Sequence, residues 1–145
     1  MYLLFAIGIL GVGLIILRLG AGPEKAVALV IIGSILLDLV YHSAIGLARD
    51  ETVDIGHAAI DFLGFTLFLA VGLRANRVWP LLCCAMQLIT IFGHISMLIE
   101  SGAMGAYWLM TAIPPQGEII VLVAGTIAHV LRQQRIGRYR DWRLN

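Results

Sequence analysis

An all-α, polytopic transmembrane bundle is the fold class this sequence predicts, and three observations predict it. Of 145 residues, 60% are hydrophobic and only 13% are charged, with mean hydropathy +0.93. A soluble domain of this length needs a polar shell that such a composition cannot supply. The apolar residues fall into five runs of roughly the ~20 residues that a bilayer's hydrocarbon core takes per helix. Those runs lack the ~10-residue length and strict alternation of barrel strands, which leaves helices as the structure that satisfies backbone groups in lipid.

The first run spans 2–17 and ends at Arg18 and the breaker GAGP of 20–23. It has no basic segment before it and no small-residue cleavage site after Leu17, so it reads as a retained membrane helix, not a signal peptide. The second run covers about 26–48 and stops at RDETVD; the third covers 55–73 and stops at RANR. The fourth covers 78–99 and stops at ESG, and the fifth covers 103–131, interrupted by Pro114-Pro115. Residues 1–131 thus form the bundle and 132–145 a basic, aromatic tail. Four crossings, with the first run on the surface, are the alternative to five. Trp79 and the Tyr107-Trp108 pair read as interfacial anchors, and Gly8, Gly11 and Gly13 as sites of close helix packing.

Charge sets the orientation. With five crossings, one side collects Arg18, Lys25, Arg74, Arg77 and the tail arginines 132, 135, 138, 140 and 143, and the other has only Arg49, beside Asp50, Glu51 and Asp54. Basic residues stay on the cytoplasmic side, which predicts an outer N-terminus and a cytoplasmic C-terminus. In the tail, arginines interleave with Ile136, Tyr139 and Trp142. That pattern suits anionic lipid at the cytoplasmic leaflet or a docking site on another membrane-protein subunit. A net charge of +1 argues against nucleic acid as a partner.

Polar residues within the runs form the candidate site. Counting outward from Arg49-Asp50, His42 and His57 are equidistant, and so are Asp38 and Asp61. An Asp-x-x-x-His spacing puts both side chains on one helix face about 6 Å apart along the axis. The mirror therefore brings His42 level with His57, and Asp38 level with Asp61 about a turn deeper, with Ser34 extending the second helix's stripe. On the fourth helix Cys83, Gln87, Thr90, His94 and Met97 recur at spacings of three and four, as do Glu118, Gly125 and His129 approximately on the fifth. Charged groups in a span are expensive, about 2.5–3.5 kcal/mol at its centre, and so face inward and find partners. The candidate cluster is Asp38, His42, His57, Asp61 and His94, with Glu118 within possible reach, all in the outer half of the membrane.

Four readings of that cluster stand open. The plainest has Asp–His hydrogen bonds pinning helices together. A transition-metal site uses the same imidazoles and carboxylates. Haem or another pigment could take a histidine as axial ligand, with Gly46, Gly56 or Gly93 making room for the ring; a quinol is a related possibility. A proton or ion path is the fourth, and against it stands the lack of ionisable residues between Asp61 and Arg74. No cofactor is required by the sequence. The adjacent Cys83 and Cys84 read as free buried thiols, and neither a catalytic triad, a P-loop nor a dinucleotide fingerprint can be assembled.

The segments LRANRVWPLLCCAMQLITIFGHISMLIE, AYWLM and GTIAHVLRQQRIGRYRDWR resemble a group of small polytopic proteins of alphaproteobacteria, most clearly from Asp61 onward. The resemblance implies an inner-membrane helical bundle. It brings no activity, cofactor or catalytic residue, and Pro114, Pro115 and Glu118 are read as departures from it. The sequence-level expectation is a non-enzymatic accessory subunit of a larger membrane complex, and the alternative is a ligand-binding or transport protein built on the outer-half cluster.

Overall fold

The computed structural model describes residues 2–45, 53–99 and 104–143, with side chains from Gly8 onward. The described residues are helical almost throughout: α1 (Tyr2–Leu19), α2 (Gly22–Ile45), α3 (Ile55–Arg74), α4 (Pro80–Ile99), α5 (Met104–Ala112) and α6 (Pro114–Ile136). Four helical stretches are long and apolar enough to cross a membrane: α2, α3, α4 and α5 taken together with α6. At 1.5 Å per residue the 24 residues of α2 reach about 36 Å. The 18-residue α1 packs beside α2 and α6. The protein is an integral membrane helical bundle.

Two boundaries differ from the sequence expectation and the interruption expected at Pro114-Pro115 is present, each for a local reason. The breaker at 20–23 interrupts the helix only at Gly20 and Ala21. Pro23 falls in the first turn of α2, where a missing N–H costs nothing, and Glu24 folds back to accept from the Ala21 amide at 3.2 Å. The fifth run breaks at Ile113 because Pro114 and Pro115 cannot donate. Gln116 Nε2 donates to the Ala112 carbonyl at 3.1 Å, filling part of the gap, and the chain resumes as α6. The boundary drawn at Leu131 lies inside α6, which runs on to Ile136 and stops at Gly137, whose φ of 75° suits glycine.

The arrangement is inverted relative to a water-soluble bundle. Leu39, Val40, Phe92, Leu98 and Ile120 point outward, whereas Gln87, Thr90, His94, Glu118, Thr126 and His129 are buried. Lipid tails are as apolar as leucine, so packing and interhelical hydrogen bonds hold such helices together instead of water exclusion. α4 is central, packed against α3, α5 and α6, while α2 covers α3 on the far side. A small apolar core of Ile16, Val27, Ala28, Phe68, Cys83 and Leu122 joins α1, α2, α3, α4 and α6. The two cysteines are free and buried, as expected.

Glycine positions separate close packing from open space. Gly13 abuts Ile32, but a Cβ at Gly8 or Gly11 meets nothing within 4 Å, so only one of the three glycines expected to allow close packing does so. Trp79 is not a simple interfacial anchor. Its indole lies where a Cβ on Gly125 would stand, 2.6 Å from Cε2, so the small residue of the α6 stripe is a seat for the ring.

Candidate functional site

Two polar assemblies occupy opposite ends of the bundle. At one end, α2, α3, α4 and α5 converge on the predicted cluster. His42 and His57 are level, their rings stacked with centroids 6.0 Å apart. His57 stands between two carboxylates: Nδ1 is 2.7 Å from Asp38 Oδ1, and Nε2 is 3.5 Å from Asp61 Oδ2. His42 Nε2 approaches Asp38 Oδ1 at 3.2 Å. His94 Nε2–H donates to Asp61 Oδ2 at 2.8 Å, and Gln87 Nε2 donates to Asp61 Oδ1, also at 2.8 Å. His94 is 4% exposed and Asp61 13%, so these groups face protein rather than acyl chains. His94 Nδ1 is buried with no hydrogen-bond partner among the described residues.

Asp38 and Asp61 flank His57, one near each ring nitrogen. Five of the six predicted residues, Asp38, His42, His57, Asp61 and His94, are thereby linked in one continuous network. Glu118 is not in it. It is buried on α6, and its Oε1 has no hydrogen-bond partner among the described residues.

Three further residues complete this end. Asp54 caps α3, accepting from the His57 amide at 3.1 Å and from the Tyr41 hydroxyl at 2.7 Å, with His42 Nδ1 3.9 Å away. Burial works to raise its carboxyl pKa, but the bonds from Tyr41 and His57 and the nearby imidazoles outweigh that and hold it below the ordinary value. Tyr107, assigned in the sequence to an aromatic belt, meets His94 edge-on at 5.5 Å, whereas its neighbour Trp108 is exposed. Tyr41 adjoins His42 in sequence and Asp54 precedes an apolar run, signals that could have marked both.

The spaces suggested for a pigment ring are filled. A Cβ at Gly56 would lie 2.2 Å from the Tyr41 ring, and one at Gly93 would meet Met110 at 3.0 Å. Gly46 lies outside the described residues, as do Arg49, Asp50, Glu51 and Glu100.

The opposite end gathers the basic loops. Glu24, fully buried, pairs with Arg77, which also donates to Asp141 Oδ1 at 2.8 Å and to His129 Nδ1 at 3.1 Å. Tyr139 bonds His129 Nδ1 at 2.7 Å, and the guanidinium carbons of Arg77 and Arg132 lie 5.1 and 4.5 Å from its ring centroid. The tail is therefore tied to the bundle. It returns to the bundle and pairs antiparallel with the α3–α4 turn, Asn76 N donating to Asp141 O at 2.9 Å and Arg143 N to Arg74 O at 2.8 Å. Neither Glu24 nor Asp141 stood out in the sequence, because each is an isolated acid among basic residues.

Two sets of donors at the first end meet the distance requirement for holding a metal ion. Asp38, His42 and His57 form one, and His57, Asp61 and His94 the other, each with ligand atoms within 4.8 Å of one another. With neutral imidazoles, the described carboxylates of Asp38, Asp54 and Asp61 would bring three negative charges to this cluster. No protein-family model, curated protein or solved structure matches the chain.

Proposed function

We propose that this is a ligand-binding, multi-pass protein of a bacterial inner membrane whose outer-half cluster holds a divalent transition-metal ion. The observation that carries the reading is the pair of two-histidine, one-carboxylate sets sharing His57. Imidazole and carboxylate donors without a thiolate suit first-row divalent metals such as zinc, manganese, iron or copper. A cation there would offset carboxylate charge that is otherwise costly beside lipid. It would also replace the protons now shared between imidazole and carboxylate, so uptake should release protons. Asp54 and Gln87 support the set by fixing His57 and Asp61.

The subunit expectation drew on the tail's need for something to lie against, and the tail has its own chain for that. A pigment fits less well, since Tyr41 and Met110 fill the spaces it would need. A transmembrane proton path would have to cover the stretch from Glu118 to His129, about 16 Å of helix in which Thr126 is the polar side chain on the buried face.

Elemental analysis of protein purified from native membranes without chelator tests the proposal. Stoichiometric zinc, manganese, iron or copper is expected in the wild type, and its loss in Asp61→Asn and His94→Ala variants that still fold. A wild-type protein that neither carries nor takes up any of these ions would leave the cluster as a helix pin.

A further inference from the structure

The basic end contains an open cleft of about 400 Å³ between the α1–α2 turn and the end of α6 with its returning tail. Its polar walls come from Arg18, His129, Gln133, Arg138, Tyr139 and Asp141. We infer that this cleft binds a phosphate group, carried by a phospholipid headgroup or a soluble phosphate.

The electrostatics follow from which of these groups are already engaged. Asp141 is the acid in the wall, and both its oxygens are occupied: Oδ1 accepts from Arg77, and Oδ2 from the Gly22 amide at 3.2 Å. Arg77 is engaged in turn by Glu24, Asp141 and His129. Arg18 and Arg138 are exposed, with no hydrogen bond or ion pair among the described residues. The cleft thus presents two uncommitted guanidiniums against one neutralised carboxylate.

A neutral donor has the right sign as well: the Gln133 amide lines the cleft, while His129 Nδ1 is already engaged by Arg77 and Tyr139. Guanidinium matches phosphate bidentately, unlike a simple ammonium. The location fits too. Basic loops mark this end as the cytoplasmic one, where anionic headgroups concentrate.

Arg18 and Arg138 hold nothing in place, so replacing them leaves the fold alone and isolates the binding question. The full chain in neutral detergent is assayed by native mass spectrometry and thermal unfolding, with phosphatidylglycerol, phosphatidylcholine and inorganic phosphate as probes. Phosphatidylglycerol should be retained in preference to phosphatidylcholine, and R18Q/R138Q should weaken that retention about 30-fold. Arg135→Gln, an exposed arginine of α6 outside the cleft wall, should not. Retention unaffected by inorganic phosphate assigns a lipid headgroup; protection by inorganic phosphate, lost in R18Q/R138Q, assigns a soluble phosphate. Equal retention of both lipids without phosphate protection, or an undiminished signal in R18Q/R138Q, overturns the inference.

Discussion

Both ends of the bundle bury carboxylates, but they neutralise them with different cations. At the basic end Glu24 and Asp141 share Arg77, a group that stays charged at any accessible pH. At the histidine end Asp38, Asp54 and Asp61 meet imidazoles, which gain and lose protons near neutrality and also ligate metals. The first is a permanent clasp, and on the proposed reading the second can exchange protons for a metal ion. A carboxylate's partner thus separates a joint that only holds from one that can also bind.

The largest expected effect tests the clasp. Arg77→Met would leave Glu24 fully buried without its cation, and breaking a buried pair costs about 3–5 kcal/mol. Unfolding in detergent by heat or denaturant should show it, with most of the loss recovered in Glu24→Gln/Arg77→Met. A single variant within about 1 kcal/mol of wild type would break the comparison at its stronger end.

Next comes packing beside the clasp. Gly125→Leu drives a side chain into the Trp79 indole and should cost about 1–3 kcal/mol by overpacking. Stability unchanged with Trp79 fluorescence unshifted would mean that the ring has room to leave.

A smaller change is expected at the histidine end. His94→Ala removes one interhelical bond to Asp61, and such bonds in membrane proteins average about 0.6 kcal/mol and reach about 1.7. Its stability loss should therefore be modest, while metal content falls sharply. A loss as large as that of Arg77→Met would show this end to be a second clasp.

The smallest effect is in acid. Asp54 has a folded-state pKa below its ordinary 3.8, so its ionised form favours the folded protein. That contribution is complete above the ordinary value and disappears as pH falls through the lowered one. Tyr41→Phe removes a bond to this carboxylate and should move the acid-unfolding midpoint to higher pH. An unmoved midpoint would mean that the His57 amide and the imidazoles alone hold Asp54.

The bundle was legible because hydropathy records the solvent directly: the third run, 55–73, matches α3 within one residue. The stripes were equally legible. Cys83, Gln87, Thr90, His94 and Met97 are all buried on α4, as their three-and-four spacing required. Periodicity reports a face but not which groups meet across it, so the joint engagement of His57 by Asp38 and Asp61 was not legible. The basic end was missed for a different reason. Glu24, Arg77 and Asp141 come from three distant segments, and no local pattern announces that a tail full of arginines turns back through its one acid. The contact of Tyr107 with His94 was not legible, because an aromatic at a membrane boundary looks the same whether it faces headgroups or a histidine.

The Gly22–Asp141 bond joins residues 119 positions apart, and the Trp142 indole covers the start of α2. Every span precedes Asp141 and Trp142 in chain order, so all are translated, and available for membrane insertion, before the segment that fastens them emerges from the ribosome. The clasp at the basic end therefore closes only after these helices exist, and a nascent chain halted before Tyr139 has them but lacks the means to lock the first pair to the last.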